Sequence, residues 1–275
     1  MQTQEKLRTI IITGANKGIG YTIIDKLLGQ NKTFDIILTA RNPKFGQAAL
    51  EKLLKQHKNT SSQLTFHQLD VSDSSSIDNF LNWVQKERKG KIDVLINNAG
   101  VNTEDTTQEK LDLIRINLTG TIELTEKALP FLASDGKIIM LSSENGQLSW
   151  QKPIIRKMLE DSTIDKEKFT KIVDDLIEKT KANKHTDLGW SYSPYNNTKA
   201  LLNAYTRWVL VSLVKGDQQC YTVDPCWCQT DMGTSAAPYP IEKGAETPIY
   251  LIDLPFKYDE KYNGKFFRSS KLHDF

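Results

Sequence analysis

Tyr195 and Lys199 stand four residues apart in the stretch WSYSPYNNTKALLNAY. In a helix, positions i and i+4 share a face, so this phenol and this ammonium can approach one ligand together. A phenol can give or take a proton, and a cation beside it favours its ionised form. Taken alone, the pair reads better as an aromatic and a lysine on a surface helix. A second stretch also has chemical meaning. TGANKGIG places Gly14, Gly18 and Gly20 directly after the apolar run TIIIT and before a helical pattern. Glycines let the backbone turn sharply and approach a pyrophosphate, and the following helix offers its first N–H groups to the same charge. Asn16, Lys17 and Ile19 belong to that loop and are expected to line the same site. The plain alternative is a tight strand-to-helix turn without a ligand.

These residues need a scaffold, and the rest of the chain describes one. Apolar runs without alternation recur as TIIIT, FDIILTA, LTFHQLD, IDVLIN, GKIIMLSS and CYTVD, with a last strand near GKFF. Helical patterns separate them, from Gly18 to about Leu28, from Phe45 to about Gln56, over Ile77 to Val84, and from about Gln108 towards Pro130. Strands of this kind, each followed by a helix, predict parallel β-α units with both sheet faces covered. The expected fold is therefore α/β, a Rossmann-type doubly wound parallel sheet forming one domain over residues 1–275. The rhythm breaks at about 150–190. There Phe169, Ile172, Val173, Leu176 and Ile177 are spaced for at least one amphipathic helix, read as an insertion. The helix carrying Tyr195 runs on to about Val214, and a short helix is expected near GAETPIYL.

In such a sheet an NAD site wants a carboxylate at the end of the second strand, to bond the ribose 2′-hydroxyl. This strand ends LTAR, with Arg41 in that place, and Asp35 lies at the wrong end. Lys17 adds a cation inside the glycine loop. Two cations and no carboxylate suit a 2′-phosphate, which arginine grips with a fork of donors. The residues favour NADP(H).

The bulk numbers exclude several classes. With 39% hydrophobic and 25% charged residues, the 275-residue chain can build a full core. A net charge of +2 gives no nucleic-acid surface. Cys220, Cys226 and Cys228 are odd in number and form no disulfide framework, which fits a reducing compartment. The histidines are scattered, so no metal site is expected. The opening MQTQEKL holds no apolar run and no stretch approaches a membrane span, so the expected location is cytoplasmic.

The fourth strand ends NNAG, at 97–100. With TGANKGIG, the LSS of 141–143 and YNNTK, all in order on alternating elements, the chain resembles the short-chain dehydrogenase/reductase family over nearly its whole length. Most members place the catalytic serine and tyrosine about a dozen residues apart, whereas Ser143 and Tyr195 are 52 apart. That insertion is similar to the one in the monomeric NADPH-dependent carbonyl reductases, where inserted helices cover the surface other members use to form tetramers. The resemblance implies a monomer acting on a small-molecule carbonyl substrate.

It also implies roles. Tyr195 would be the general acid that protonates the carbonyl oxygen after hydride transfer, and Lys199 would lower its pKa and bond the nicotinamide ribose. Ser143 would hydrogen-bond the substrate oxygen. Asn117, in RINLTGT, would hold a water in a proton relay. Asn97, Ala99 and Gly100 would let the cofactor lie close, with Asp70 and Val71 beside the adenine. The loop after the sixth strand reads PCWCQTDM. From it Pro225, Cys228 and Thr230 would contact the cofactor, and Trp227 and Met232 the substrate. Cys226 stands where the family has glycine, and carries strain if φ there is positive. Trp150 and Trp190 could meet substrate or anchor the insertion. The expected activity is NADPH-dependent reduction of quinones, ketones and aldehydes. Two alternatives stay open: an alcohol dehydrogenase or ketone reductase on a terpenoid, steroid or alkaloid, and an NADP(H)-binding sensor without turnover.

Overall fold

The runs that lack alternation become strands buried on both faces. In the computed structural model, which describes residues 7–103 and 105–274, β1 is Arg8–Ile12 and its three isoleucines are fully buried. Each such side chain contributes roughly 1.5–3 kcal/mol of hydrophobic stabilisation. Most of the opening segment read above for a leader lies outside the described residues. The order continues α1 (Gly18–Leu28), β2 (Phe34–Ala40), α2 (Pro43–Gln56), β3 (Gln63–Gln68), α3 (Ser74–Glu87) and β4 (Ile92–Asn97). Then come α4 (Thr107–Ile114), α5 (Gly120–Ala128) and β5 (Leu132–Leu141). Next are α6 (Pro153–Leu159), α7 (Lys166–Lys181), α8 (Pro194–Ala204) and the one-turn α9 (Val211–Leu213). The chain closes with β6 (Gln219–Asp224), α10 (Ile241–Asp253), β7 (Lys265–Arg268) and β8 (Lys271–His273).

All eight strands form one sheet in the order β3-β2-β1-β4-β5-β6-β7-β8. Odd and even side chains feed two cores. Ile10, Ile12, Ile36, Leu38, Leu141 and Val223 meet α1, α2 and α10 on one face. Ile11, Ile37, Met140 and Cys220 meet α3, α5, α7 and α8 on the other. The pairings from β3 to β7 are parallel, as expected, but β8 runs antiparallel to β7 and closes the edge. Its three exposed residues carry no apolar period, so the sequence pattern could not announce it. The helix near GAETPIYL is also longer than expected, because Pro248 sits inside α10 without ending it.

The insertion contains two helices. Asp165 caps α7 by accepting from the Lys168 amide, and Phe169, Val173 and Leu176 turn inward. Trp190 is 1% exposed and anchors the insertion in the core, whereas Trp150 is 61% exposed.

At the edge of the sheet opposite the glycine loop, the Lys137 side chain is fully buried. Its ammonium donates to the carbonyls of Leu251 (2.9 Å), Ile252 (3.1 Å) and Leu254 (2.6 Å) at the end of α10, over the Phe256 ring. Burial pushes its pKa down to about 7, while three acceptors at the negative end of a helix favour the charged form. Lys137→Met should leave those carbonyls without their donor and cost about 3 kcal/mol in urea unfolding.

Candidate active site

Every residue singled out for chemistry lies along the C-terminal edge of the sheet. The strand order reverses between β1 and β4, and an open α/β sheet binds ligands at that switch. The glycine loop leaves β1 there. Gly14 has φ +62°, and a Cβ on it would stand 2.9 Å from the Ala99 Cα. Gly18 has φ +63° and faces open space. Thr13 ties the two strand ends together, its hydroxyl accepting from the Asn98 and Ala99 amides at 2.9 Å. Nothing in the sequence pattern singled out Thr13 or Asn98. Asn16 and Ile19 are half-buried, and Ile19 packs against Gly244 of α10.

Asn42, Asp73, Thr106, Asp165 and Ser193 cap α2, α3, α4, α7 and α8 with a side chain, whereas α1, like α5, α6 and α10, has no such cap, and its first turn holds no acidic residue. Its first N–H groups are left for an anion. Arg41 follows β2, the strand paired with β1, and is exposed without an ion-pair partner among the described residues. Lys17 is instead held by Asp231 at 2.7 Å, with both side chains largely exposed. Asp70, one strand further out, accepts from the Ser72 amide (2.9 Å) and hydroxyl (2.6 Å), and Val71 is buried beside it. This cradle fits a dinucleotide with a phosphate on its adenosine ribose.

Across the switch point, Asn97 is buried at the end of β4 and donates to Thr125. Gly100 lies against Asn117. Asn117 sits in a π-helical turn, Arg115–Thr119, that joins α4 to α5, where the sequence suggests one uninterrupted helix. Such bulges cluster at functional sites. The Asn117 amide bridges the Val101 backbone, accepting from N and donating to O, both at 2.8 Å. Its side chain thereby holds the β4–α4 loop.

Ser143, Tyr195 and Lys199 do come together. Ser143 lies beside the Tyr195 phenol, and its hydroxyl accepts from the Asn145 amide at 3.1 Å. Lys199 donates to the Leu141 carbonyl at 2.7 Å and stands 5.5 Å from the Tyr195 ring centroid. Burial pushes the phenol up to about 12, and the Ser143 hydroxyl opposes that rise. Burial also pushes Lys199 down to about 8.

The loop after β6 frames the other side. Pro225 accepts from the buried Cys228 thiol at 3.3 Å, and burial raises that thiol to about 11. The Thr230 hydroxyl accepts from the Gly233 amide at 2.9 Å. Trp227 and Met232 are 56% and 46% exposed, so neither is walled in by protein. Cys226 has φ +66°, the conformation that would suit glycine. A non-glycine residue there costs about 1–2 kcal/mol, and glycine's extra chain entropy offsets part of it. Cys226→Gly should therefore stabilise the fold by about 0.5–1 kcal/mol in denaturant unfolding.

A switch-point glycine cradle beside a serine–tyrosine–lysine cluster defines a dinucleotide-dependent oxidoreductase. The short chain dehydrogenase model matches residues 8–154, and the chain belongs to that family. Carbonyl reductase (NADPH) 1 of Sus scrofa is 34% identical over 260 residues, covering 90% of this chain and 88% of the relative. The (+)-neomenthol dehydrogenase of Arabidopsis thaliana is 29% identical and covers 99% of each chain. The structure of salutaridine reductase from Papaver somniferum superposes with a TM-score of 0.83 at 27% identity, covering 94% of this chain and 99% of that one.

Proposed function

We propose that this chain reduces carbonyl compounds with NADPH, with Tyr195 as the general acid. The observation that carries the reading is the gathering of Ser143, Tyr195 and Lys199 at the C-terminal edge of the sheet that also bears the glycine loop opening α1. NADPH, when bound, supplies the hydride. Gly14, Asn16, Gly18, Ile19 and Gly20 would cradle its pyrophosphate, and Lys17 and Arg41 its 2′-phosphate. Asp70 and Val71 would flank the adenine, and Asn97, Ala99, Gly100, Pro225, Cys228 and Thr230 would border the nicotinamide half. Ser143 and Tyr195 stand side by side, so a carbonyl oxygen entering between them meets two hydroxyl donors. Tyr195 then gives its proton to the oxygen as negative charge develops there. A phenol held near 12 is fully protonated at neutral pH, the state reduction requires.

Lys199 supplies the positive charge that stabilises the resulting phenolate. Its pKa is depressed to about 8, so that charge is present below pH 8 and is lost as pH rises through it. kcat/KM for the carbonyl should fall on the alkaline side with an apparent pKa near 8.

Trp227 and Met232 line an open, apolar approach, which suits quinones, aromatic ketones and aldehydes. A second reading, a reductase of a terpenoid or alkaloid ketone, is supported by the likeness to the salutaridine and neomenthol enzymes. Comparing kcat/KM on quinones and aromatic ketones with kcat/KM on cyclic terpenoid and alkaloid ketones separates the two. We further propose one domain and a monomer, with α6 and α7 covering a surface used for assembly elsewhere in the family. Sedimentation of the pure protein checks this. The three unpaired thiols suit a cytoplasmic setting. No helix among the described residues is long and apolar enough to cross a membrane.

A further inference from the structure

Asp224 ends β6 immediately before the loop that frames the active site, and it is 2% exposed. Its direction follows from the strand. Cys220, four residues back, faces the core that α8 covers, so Asp224 faces the same side. β6 pairs with β5 so that Val223 lies opposite Leu141, the residue whose carbonyl holds the Lys199 ammonium. The carboxylate thus stands one residue beyond and one strand across from that ammonium. Its own partners are fixed. One oxygen accepts from the Cys226 amide at 3.0 Å, and the other meets Arg268 Nε at 3.1 Å. Arg268 reaches on to Glu144 at 2.7 Å, the residue after Ser143.

We infer that Asp224 is a positioning residue for catalysis: its buried carboxylate stands one strand across from the Lys199 ammonium and, through Arg268 and Glu144, joins the loop carrying Ser143 to the loop carrying Cys226. The inference rests on the reading of Tyr195 and Lys199 as the catalytic couple.

The groups facing Asp224 can be named element by element. α8 contributes Lys199 and Tyr195, β7 contributes Arg268, the turn after β5 contributes Glu144, and the loop after β6 contributes Cys228. From α10, Lys243 faces Cys226 in the same loop. Burial raises the Asp224 pKa, and the Arg268 guanidinium and the Cys226 and Glu144 amides oppose it and favour the carboxylate. Burial lowers Lys199 and the Asp224 charge pulls the other way. The same charge disfavours a Tyr195 phenolate, which keeps the phenol protonated for donation. Removing it therefore acts on the proton state of the couple, not only on the fit of two loops.

The test is the pH profile of carbonyl reduction in Asp224→Asn and in the double variant Asp224→Asn/Arg268→Gln. The double variant removes both members of the Asp224–Arg268 pair together, and Glu144, which loses Arg268, is exposed enough to be solvated. Binding of NADPH, followed by its fluorescence, serves as a readout of folding that does not need turnover. With an opposite charge gone from beside a buried ammonium, the alkaline limb should move down by about one pH unit in both variants. A limb that stays in place, whatever happens to kcat, would overturn the inference and leave Asp224 a structural residue. Tyr195→Phe, measured in parallel, distinguishes the two levels. If it retains turnover, the catalytic reading itself fails. If it is inactive while the limb of the Asp224 variants is unmoved, only the role of Asp224 fails.

Discussion

Tyr195→Phe is expected to lower kcat for carbonyl reduction by about 10³-fold while leaving NADPH binding in place. The substitution removes one oxygen and nothing else of the ring. Losing one hydroxyl's hydrogen bonding should cost the fold about 1 kcal/mol. What disappears is the proton. Ser143 remains near the substrate oxygen, but an aliphatic hydroxyl is too weak an acid to replace a phenol. Stopped-flow reduction with saturating NADPH measures the chemical step directly. A variant that keeps a tenth of wild-type kcat would show that another group, or solvent, supplies the proton.

The second large effect concerns the adenosine phosphate. Arg41 is exposed at the end of β2 with no ion-pair partner among the described residues, so its guanidinium can turn to a phosphate without breaking an internal bond. A hydrogen bond between charged groups contributes about 1.5–3 kcal/mol. Arg41→Ala should therefore weaken NADPH binding about 10- to 100-fold and leave NADH binding nearly unchanged. Lys17 should contribute less, because Asp231 already holds it in the ligand-free protein. Asp231→Asn frees that lysine and should tighten NADPH by no more than about fivefold, the scale of an exposed ion pair. Equal losses for NADPH and NADH in Arg41→Ala would mean that Arg41 does not read the phosphate. Titrations of each variant with both nucleotides give the comparison.

Much of this was legible in the residues because the relevant physics is local. Continuous apolar runs such as TIIIT and FDIILTA can only be strands covered on both sides, and they are. The glycine loop was readable because Gly14 and Gly18 meet a positive-φ requirement in the place the turn demands. The cysteine at 226 was readable as a strained position for the same reason, and its φ of +66° bears that out. What the residues did not disclose depends on who meets whom across the sheet. The short edge strand β8 has no pattern of its own and exists because β7 offers it a partner. The π-helical turn at Asn117 looks like ordinary helix in sequence, and only the reach of its side chain to Val101 explains it. The bond from Lys199 to the Leu141 carbonyl depends on α8 meeting the end of β5. Asp224 and Arg268 lie 44 residues apart in sequence and meet only because β6 and β7 are neighbours.

The central claim is catalysis of carbonyl reduction by NADPH, as opposed to nucleotide binding alone. The most direct measurement is the loss of NADPH absorbance by the wild-type protein with quinones, aromatic ketones and aldehydes, repeated with NADH. The account predicts steady turnover that requires both the protein and the carbonyl and that prefers NADPH by at least about tenfold, the lower end of the phosphate contribution. NADPH that binds tightly and is consumed with no carbonyl in the panel would contradict it, and would make the protein a nucleotide-binding sensor.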